Sequence, residues 1–165
     1  MTSVEAAWAA HVEAELVTKD VERTLDTMVP DAHVNHVPVM TGGTGRDELR
    51  EFYSQDFIFC QPLDGTSVFV SRTVGTDTLV DEAVYSFTHS VELPWMLPGV
   101  APTNRRVEVA MCIVVGFRDG KVAHEHIYWD HASVLCQIGL LDEGSLPVLG
   151  AESAAAVARW ATPAS

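Results

Sequence analysis

Apolar positions Trp8, Val12, Leu16, Val21, Leu25 and Met28 recur at three-, four- and five-residue steps, and this spacing predicts helix over residues 3 to 28. Lys19-Asp20 divides or bends that helix, and Pro30 ends it. Residues 32 to 39 then read as a short strand whose Pro38 suits an edge or an end. Thr41-Gly42-Gly43-Thr44-Gly45 reads as a turn, and residues 46 to 53 as a helix with acids in its first turn and Leu49, Phe52 and Tyr53 on one stripe. From Ser67 the texture becomes β: 67 to 74, 78 to 91 and 105 to 117 are rich in branched and aromatic residues and are joined by turns. Between the last two lies a proline-rich apolar loop, Leu93 to Pro102, which suits a lid, a rim or a subunit contact.

The most informative stretch is residues 120 to 141. Lys121 to Trp129 has the make-up of a strand. From His131 the period changes, with Val134, Leu135 and Ile138 at helical spacing and Gly139 placed to stop the helix. A strand that becomes a helix at Asp130 sets that carboxyl at the end of a sheet. A short Ala-rich helix, 152 to 160, follows in a C-terminal extension of residues 142 to 165. Helices first and antiparallel strands afterwards indicate one α+β domain over residues 1 to 165, with helices on one face of a curved sheet. The strands from Thr78 and Arg105 are apolar in both parities, so both sheet faces need cover; a homodimer through the outer face would supply it.

The chain has 165 residues, 47% hydrophobic and 20% charged, with a formal net charge of -13. That charge repels nucleic acid and anionic membranes. No apolar run reaches the roughly 20 residues of a membrane span, and no signal peptide is visible at the N-terminus, so a cytoplasmic protein is expected. Cys60, Cys112 and Cys136 are odd in number and far apart, which suits buried thiols rather than a disulfide framework. The glycines of 41 to 45 lack the Lys and Ser/Thr of a phosphate-binding loop.

Gly120-Lys121-Val122, Tyr128-Trp129-Asp130 and Leu135-Cys136-Gln137-Ile138-Gly139-Leu140 together resemble the C-terminal signature of SnoaL-like polyketide cyclases, within the nuclear transport factor 2-like (NTF2-like) superfamily. Val34 to Pro38, Gly45 to Phe52 and Pro102 to Arg106 agree in order, so the resemblance spans roughly residues 5 to 141. It implies a cone of curved, antiparallel or mixed sheet, closed on one side by N-terminal helices, around an apolar pocket. It also implies that Asp130 is the acid-base residue and His36 a polar pocket residue. His124 and His126 depart from the pattern. Cyclases, isomerases, lyases, hydrolases and binding modules all share this fold, so reaction must be argued from the site.

On the last strand His124, His126, Tyr128 and Asp130 share one parity, and Glu125, Ile127 and Trp129 the other. If the first set lines the pocket, a proton-transfer site follows, with Asp130 as acid-base, His126 assisting, and His36 and Tyr128 orienting the substrate oxygen. Asp130 equally suits a helix N-cap. Asn35, Tyr53, Trp95, His89 and Arg106 are further candidates for substrate contact or pocket wall. No cofactor is called for. His124-x-His126 forms half a metal site whose third ligand would be His36, His89 or Glu108, a lesser reading. The expected activity is a small cofactor-independent enzyme moving protons on an apolar carbonyl compound. The alternatives are an epoxide or lactone hydrolase, with Asp130, Arg106 and Glu108 as its charged set, and a non-catalytic ligand-binding module.

Overall fold

A computed structural model describes residues 3–161; positions 1–2 and 162–165 of the expected domain lie outside the described residues. Helix α1 (Ser3–Val12) runs into a π-helical stretch, Glu13–Val17, and is followed by α2 (Val21–Asp26). Asp20 divides them, its carboxylate accepting the Arg23 N–H at 3.0 Å. Strand β1 (Met28–His36) begins earlier than the sequence pattern predicts and includes Pro30. Its pairing with the last strand is irregular between Met28 and His33, where a residue without an N–H costs no ladder bond.

Thr41–Thr44, expected as a turn, is a short strand, β2, paired antiparallel with β1. Glycine is required at position 42: its φ is +136°, and a Cβ there would lie 2.0 Å from the Val34 carbonyl oxygen. Helix α3 (Gly45–Glu51) runs into a second π-helical stretch, Phe52–Phe57. Then come β3 (Thr66–Val74), β4 (Thr78–Thr88), β5 (Arg106–Arg118), β6 (Lys121–Trp129), α4 (His131–Gln137) and α5 (Glu152–Ala158).

The six strands form one curved, unclosed mixed sheet in the order β2-β1-β6-β5-β4-β3. Only β1–β6 is parallel among these neighbours; the rest are antiparallel. This is the cone-shaped α+β architecture expected. α1 lies across the concave face. Trp8 is pinned there by its indole N–H to Asp81 Oδ2, 2.9 Å, and Asp81 is in turn gripped by both ends of the Arg72 guanidinium at 2.6 Å. The main core fills the space between helices and sheet, with Leu25, Leu49, Ile58, Leu79, Phe87 and Val109 nearly inaccessible.

The outer face is met in part by the chain itself. Ala154, Val157 and Ala158 of α5 pack on Val70 and Val84 of β3 and β4. Cys136 is buried, but Cys60 and Cys112 are half-buried rather than buried, and all three are free thiols. No helix among the described residues is long and apolar enough to cross a membrane.

Candidate functional site

The concave face and the helices enclose a cavity of about 190 Å³. Its walls are mainly apolar: Trp8 and Val12 from α1, Val34 from β1, Phe52 and Phe57 from the second π-helical stretch, Trp95 from the proline-rich loop, Met111 and Ile113 from β5, and Ile127 from β6. Its polar groups are Glu15, His36, Gln61, Ser67, Tyr85 and Glu125. Both π-helical stretches contribute lining residues. An extra residue per turn turns side chains that a regular helix would aim elsewhere, and such bulges recur at functional sites.

The register of β6 decides which side chains enter. Gly116 pairs with His124 but Phe117 pairs with Val122, so Ala123 is an extra residue, a β-bulge. Val122 points into the core. Beyond the bulge the inward set is Glu125, Ile127 and Trp129, all under 9% exposed. His124, His126 and Tyr128 therefore project from the outer face, against the expectation that they line the pocket.

Asp130 is exposed and caps α4, its Oδ1 accepting the Ser133 N–H at 3.1 Å. Of the two roles the sequence allowed, the structure places it in the cap and away from the cavity. Tyr128 is 43% exposed. Asn35 shares the outer face of β1 with His33. His89 is buried, but its Nδ1 meets the Thr103 hydroxyl at 3.2 Å and it does not line the cavity. Arg106 is exposed and pairs with Asp64 at 3.2 Å. Glu108 lies beside Ser86, with its backbone N–H bonded to Gln137, so the set Asp130, Arg106 and Glu108 is not assembled. His36 and Trp95 line the cavity, and Tyr53 is buried beside Glu125.

His36 is 3% exposed, in a cage of Phe52, Phe57, Trp95 and Trp129 whose ring centroids lie 5.3 to 5.9 Å away. Burial lowers its pKa to about 4, against the pull of Glu125 and a backbone contact to Thr41, so the ring is neutral at pH 7. Its Nδ1 has no hydrogen-bond partner.

The group that sequence reasoning missed is His11, Glu15 and Glu125. His11 Nε2 lies 3.0 Å from Glu125 Oε1 and 3.7 Å from Glu15 Oε1, with all three side chains buried. The Nε2 contact is close but off the line of a good hydrogen bond, so it is better described as an ion pair. The other ring nitrogen, Nδ1, meets the Thr27 hydroxyl at 2.6 Å. Burial alone would depress the His11 pKa; the two carboxylates outweigh it and raise it to about 10. Burial pushes the Glu15 carboxyl up, although His11 draws it down. Tyr53 donates to Glu125 Oε1 at 3.4 Å, and burial with the nearby carboxylates keeps its hydroxyl protonated.

Each of His11, Glu15 and Glu125 offers a ligand atom within 4.8 Å of the others, a spacing a cation could use. A metal ion would have to displace the proton that His11 holds to about pH 10, so an imidazolium beside two carboxyl groups is the better description. Two signals for this group were present in the sequence. Glu125 shares the parity of the apolar Ile127 and Trp129, and His11 and Glu15 fall three and seven residues after Trp8, on one helical face.

A family model described as SnoaL-like domain matches residues 8–125. No curated protein matches the chain in sequence. Among solved structures, a candidate SnoaL-like polyketide cyclase from Jannaschia sp. CCS1 superposes with a TM-score of 0.64 at 17% identity, covering 86% of this chain and 98% of that one. An NTF2-like protein of unknown function from Burkholderia pseudomallei gives 0.63 at 15% identity, covering 84% and 99%. The epoxide hydrolase/cyclase-like enzyme SalBIII, described in pyran ring formation in the polyether salinomycin, gives 0.57 at 14% identity, covering 77% and 90%. At these identities the likeness is one of fold.

Proposed function

The chain belongs to the SnoaL-like domain family, and on that premise we propose that it is a small enzyme moving protons on an apolar carbonyl compound, with no cofactor taking part. The observation that carries this reading is the buried His11–Glu15–Glu125 group opening onto an apolar cavity. A buried imidazolium neutralises one carboxylate. The other, Glu15, is favoured in its protonated form by burial. The site thus offers a base and an acid side by side.

In this scheme Glu125 takes a proton from the carbon next to the carbonyl, and Glu15 gives one to the carbonyl oxygen. The C–H electron pair becomes the C=C bond of an enol. Glu125 is left neutral and Glu15 negative, and His11, within reach of both, changes partner without moving its own proton. One buried ion pair is kept throughout, so the step avoids isolating a charge in the cavity. His36, neutral and unpaired at Nδ1, is placed to hold the substrate oxygen. Return of the proton to a different carbon gives isomerisation. Attack of the enol carbon on a second carbonyl gives aldol closure.

Cavity size bounds the substrate. A cavity of about 150 Å³ accepts benzene, so about 190 Å³ suits a core of one or two rings. Two carboxylates on one cation also suit addition of water to an epoxide, a second reading that rests on the same pair.

Hydrogen–deuterium exchange of the α-protons of one- and two-ring ketones, followed by NMR, tests the first reading. The wild type should exchange them, and Glu125→Gln, confirmed folded by circular dichroism, should lose at least about 100-fold in rate. Asp130→Asn should retain the wild-type rate. A Glu125→Gln protein that exchanges as fast as the wild type defeats the proposal. Uptake of labelled solvent oxygen from an epoxide probe would instead favour the hydrolase.

A further inference from the structure

On the outer face, the β-bulge that turns Glu125 inward turns two histidines outward, next to a third from β1. His33 Nε2 and His126 Nε2 are 2.9 Å apart. The ring of His124 stacks on His33, with centroids 5.4 Å apart and planes 17° apart, and lies 4.8 Å from the His126 ring. All three are half-buried. Room for this arrangement is built into β5. At Gly116, opposite His124, a Cβ would lie 2.1 Å from the imidazole Cε1, so only a residue without a side chain lets that ring lie across the strand. The cavity chemistry makes no use of these residues.

We propose that His33 and His126 form a binding site for a late first-row divalent ion, such as Zn²⁺, Ni²⁺ or Cu²⁺, with His124 as a positioning residue stacked on His33. Imidazole nitrogens bind such ions at about 2.0–2.1 Å. Two nitrogens at that distance and a right-angled bite stand about 2.9 Å apart, the separation already present between these rings. The alternative, a hydrogen bond between two neutral rings, needs opposite tautomers, and among the described residues no further side-chain hydrogen bond to His33 or His126 fixes either tautomer. Imidazole donors select zinc, nickel and copper over magnesium and calcium.

The two ligands come from β1 and β6, the parallel neighbours in the sheet. A bound ion would clasp these strands, and an ion that binds the folded chain alone raises its stability. The third ligands that the sequence suggests do not serve this geometry: His36 lies on the inner face, and His89 and Glu108 are engaged elsewhere.

Thermal unfolding of the full chain with added Ni²⁺ or Zn²⁺, together with calorimetric titration, tests the proposal. The wild type should bind one ion per chain and melt at a higher temperature when loaded. His33→Asn and His126→Asn, either of which removes the bite, should each weaken binding at least tenfold and lose the shift. Glu125→Gln and Glu15→Gln should retain it. Absence of a shift in the wild type, a shift that survives both histidine substitutions, or one lost with the buried glutamates would overturn the assignment.

Discussion

Two acidic residues five positions apart, Glu125 and Asp130, lie in opposite surroundings: Glu125 is buried and Asp130 is exposed. Asp130 stands where a strand gives way to a helix, and it is the position the family resemblance marks as catalytic. In the structure its carboxylate satisfies a backbone N–H that the first turn of α4 would otherwise leave open. Glu125 instead takes the buried place, held by His11 and Tyr53. Asp130→Ala should therefore cost about 1 kcal/mol of stability and leave turnover unchanged. Urea unfolding measures the first and the α-proton exchange assay the second; a large loss of rate in a folded protein would return Asp130 to the chemistry. Parity hinted at this, since Glu125 is in step with the apolar Ile127 and Trp129, without fixing which set faces inward. What it lacked was the cation. His11 lies 114 residues earlier on another element, and nothing local shows that a glutamate on β6 has a buried partner there.

Among the elements, β6 shows why strand existence was legible and facing was not. Its span and the helix that follows are evident from the change of period, and the structure has Lys121–Trp129 and His131–Gln137. Facing depends on a single inserted residue, because a slip of one moves every side chain to the opposite face. Val122 and Ile127, both buried, lie on opposite parities, and only the bulge at Ala123 reconciles them. The two π-helical stretches were illegible for a similar reason: one additional residue per turn leaves composition unchanged. The proline-rich loop was legible in kind. Leu93, Trp95, Met96 and Leu97 are all buried, which seats this segment in the core, with Trp95 lining the cavity. Trp95 meets His36, Phe57, Tyr85 and Trp129, and its carbonyl accepts the Thr41 hydroxyl at 2.6 Å. Trp95→Ala should accordingly cost about 3–5 kcal/mol, read as a lower urea midpoint. A loss below about 1 kcal/mol would show the segment to be loosely seated.

For the molecule as a whole, two buried imidazoles with opposite shifts set the dependence of stability on pH. His36 has its pKa lowered to about 4 in the folded state. Between about 4 and 6.5 the unfolded chain takes up a proton there that the folded chain refuses, so stability falls as pH falls through that window. The full shift corresponds to roughly 3 kcal/mol. His11 has its pKa raised to about 10. Its contribution is complete below about 6.5 and is lost as pH climbs toward 10, where the folded chain holds a proton that the unfolded chain has released. Burial raises the Glu15 carboxyl pKa, so its contribution likewise falls as pH rises above the ordinary carboxylate range. The surface carboxylate Glu22 adds an acid loss only at lower pH, since Arg50 and Arg46 draw its pKa to about 2. The lowered values of buried His89 and of half-buried His124, His126 and His131 act in the same sense as His36, each through a smaller shift. Stability should therefore peak between about pH 6 and 7 and fall on both sides. Urea unfolding at closely spaced pH values measures this profile. His36→Gln should flatten the acid limb and leave the alkaline limb in place, because the alkaline limb belongs to His11, a different ring on α1. An acid limb of unchanged slope in that variant would show that His36 is charged inside its aromatic cage, and the neutral, oxygen-holding role given to it would fail with it.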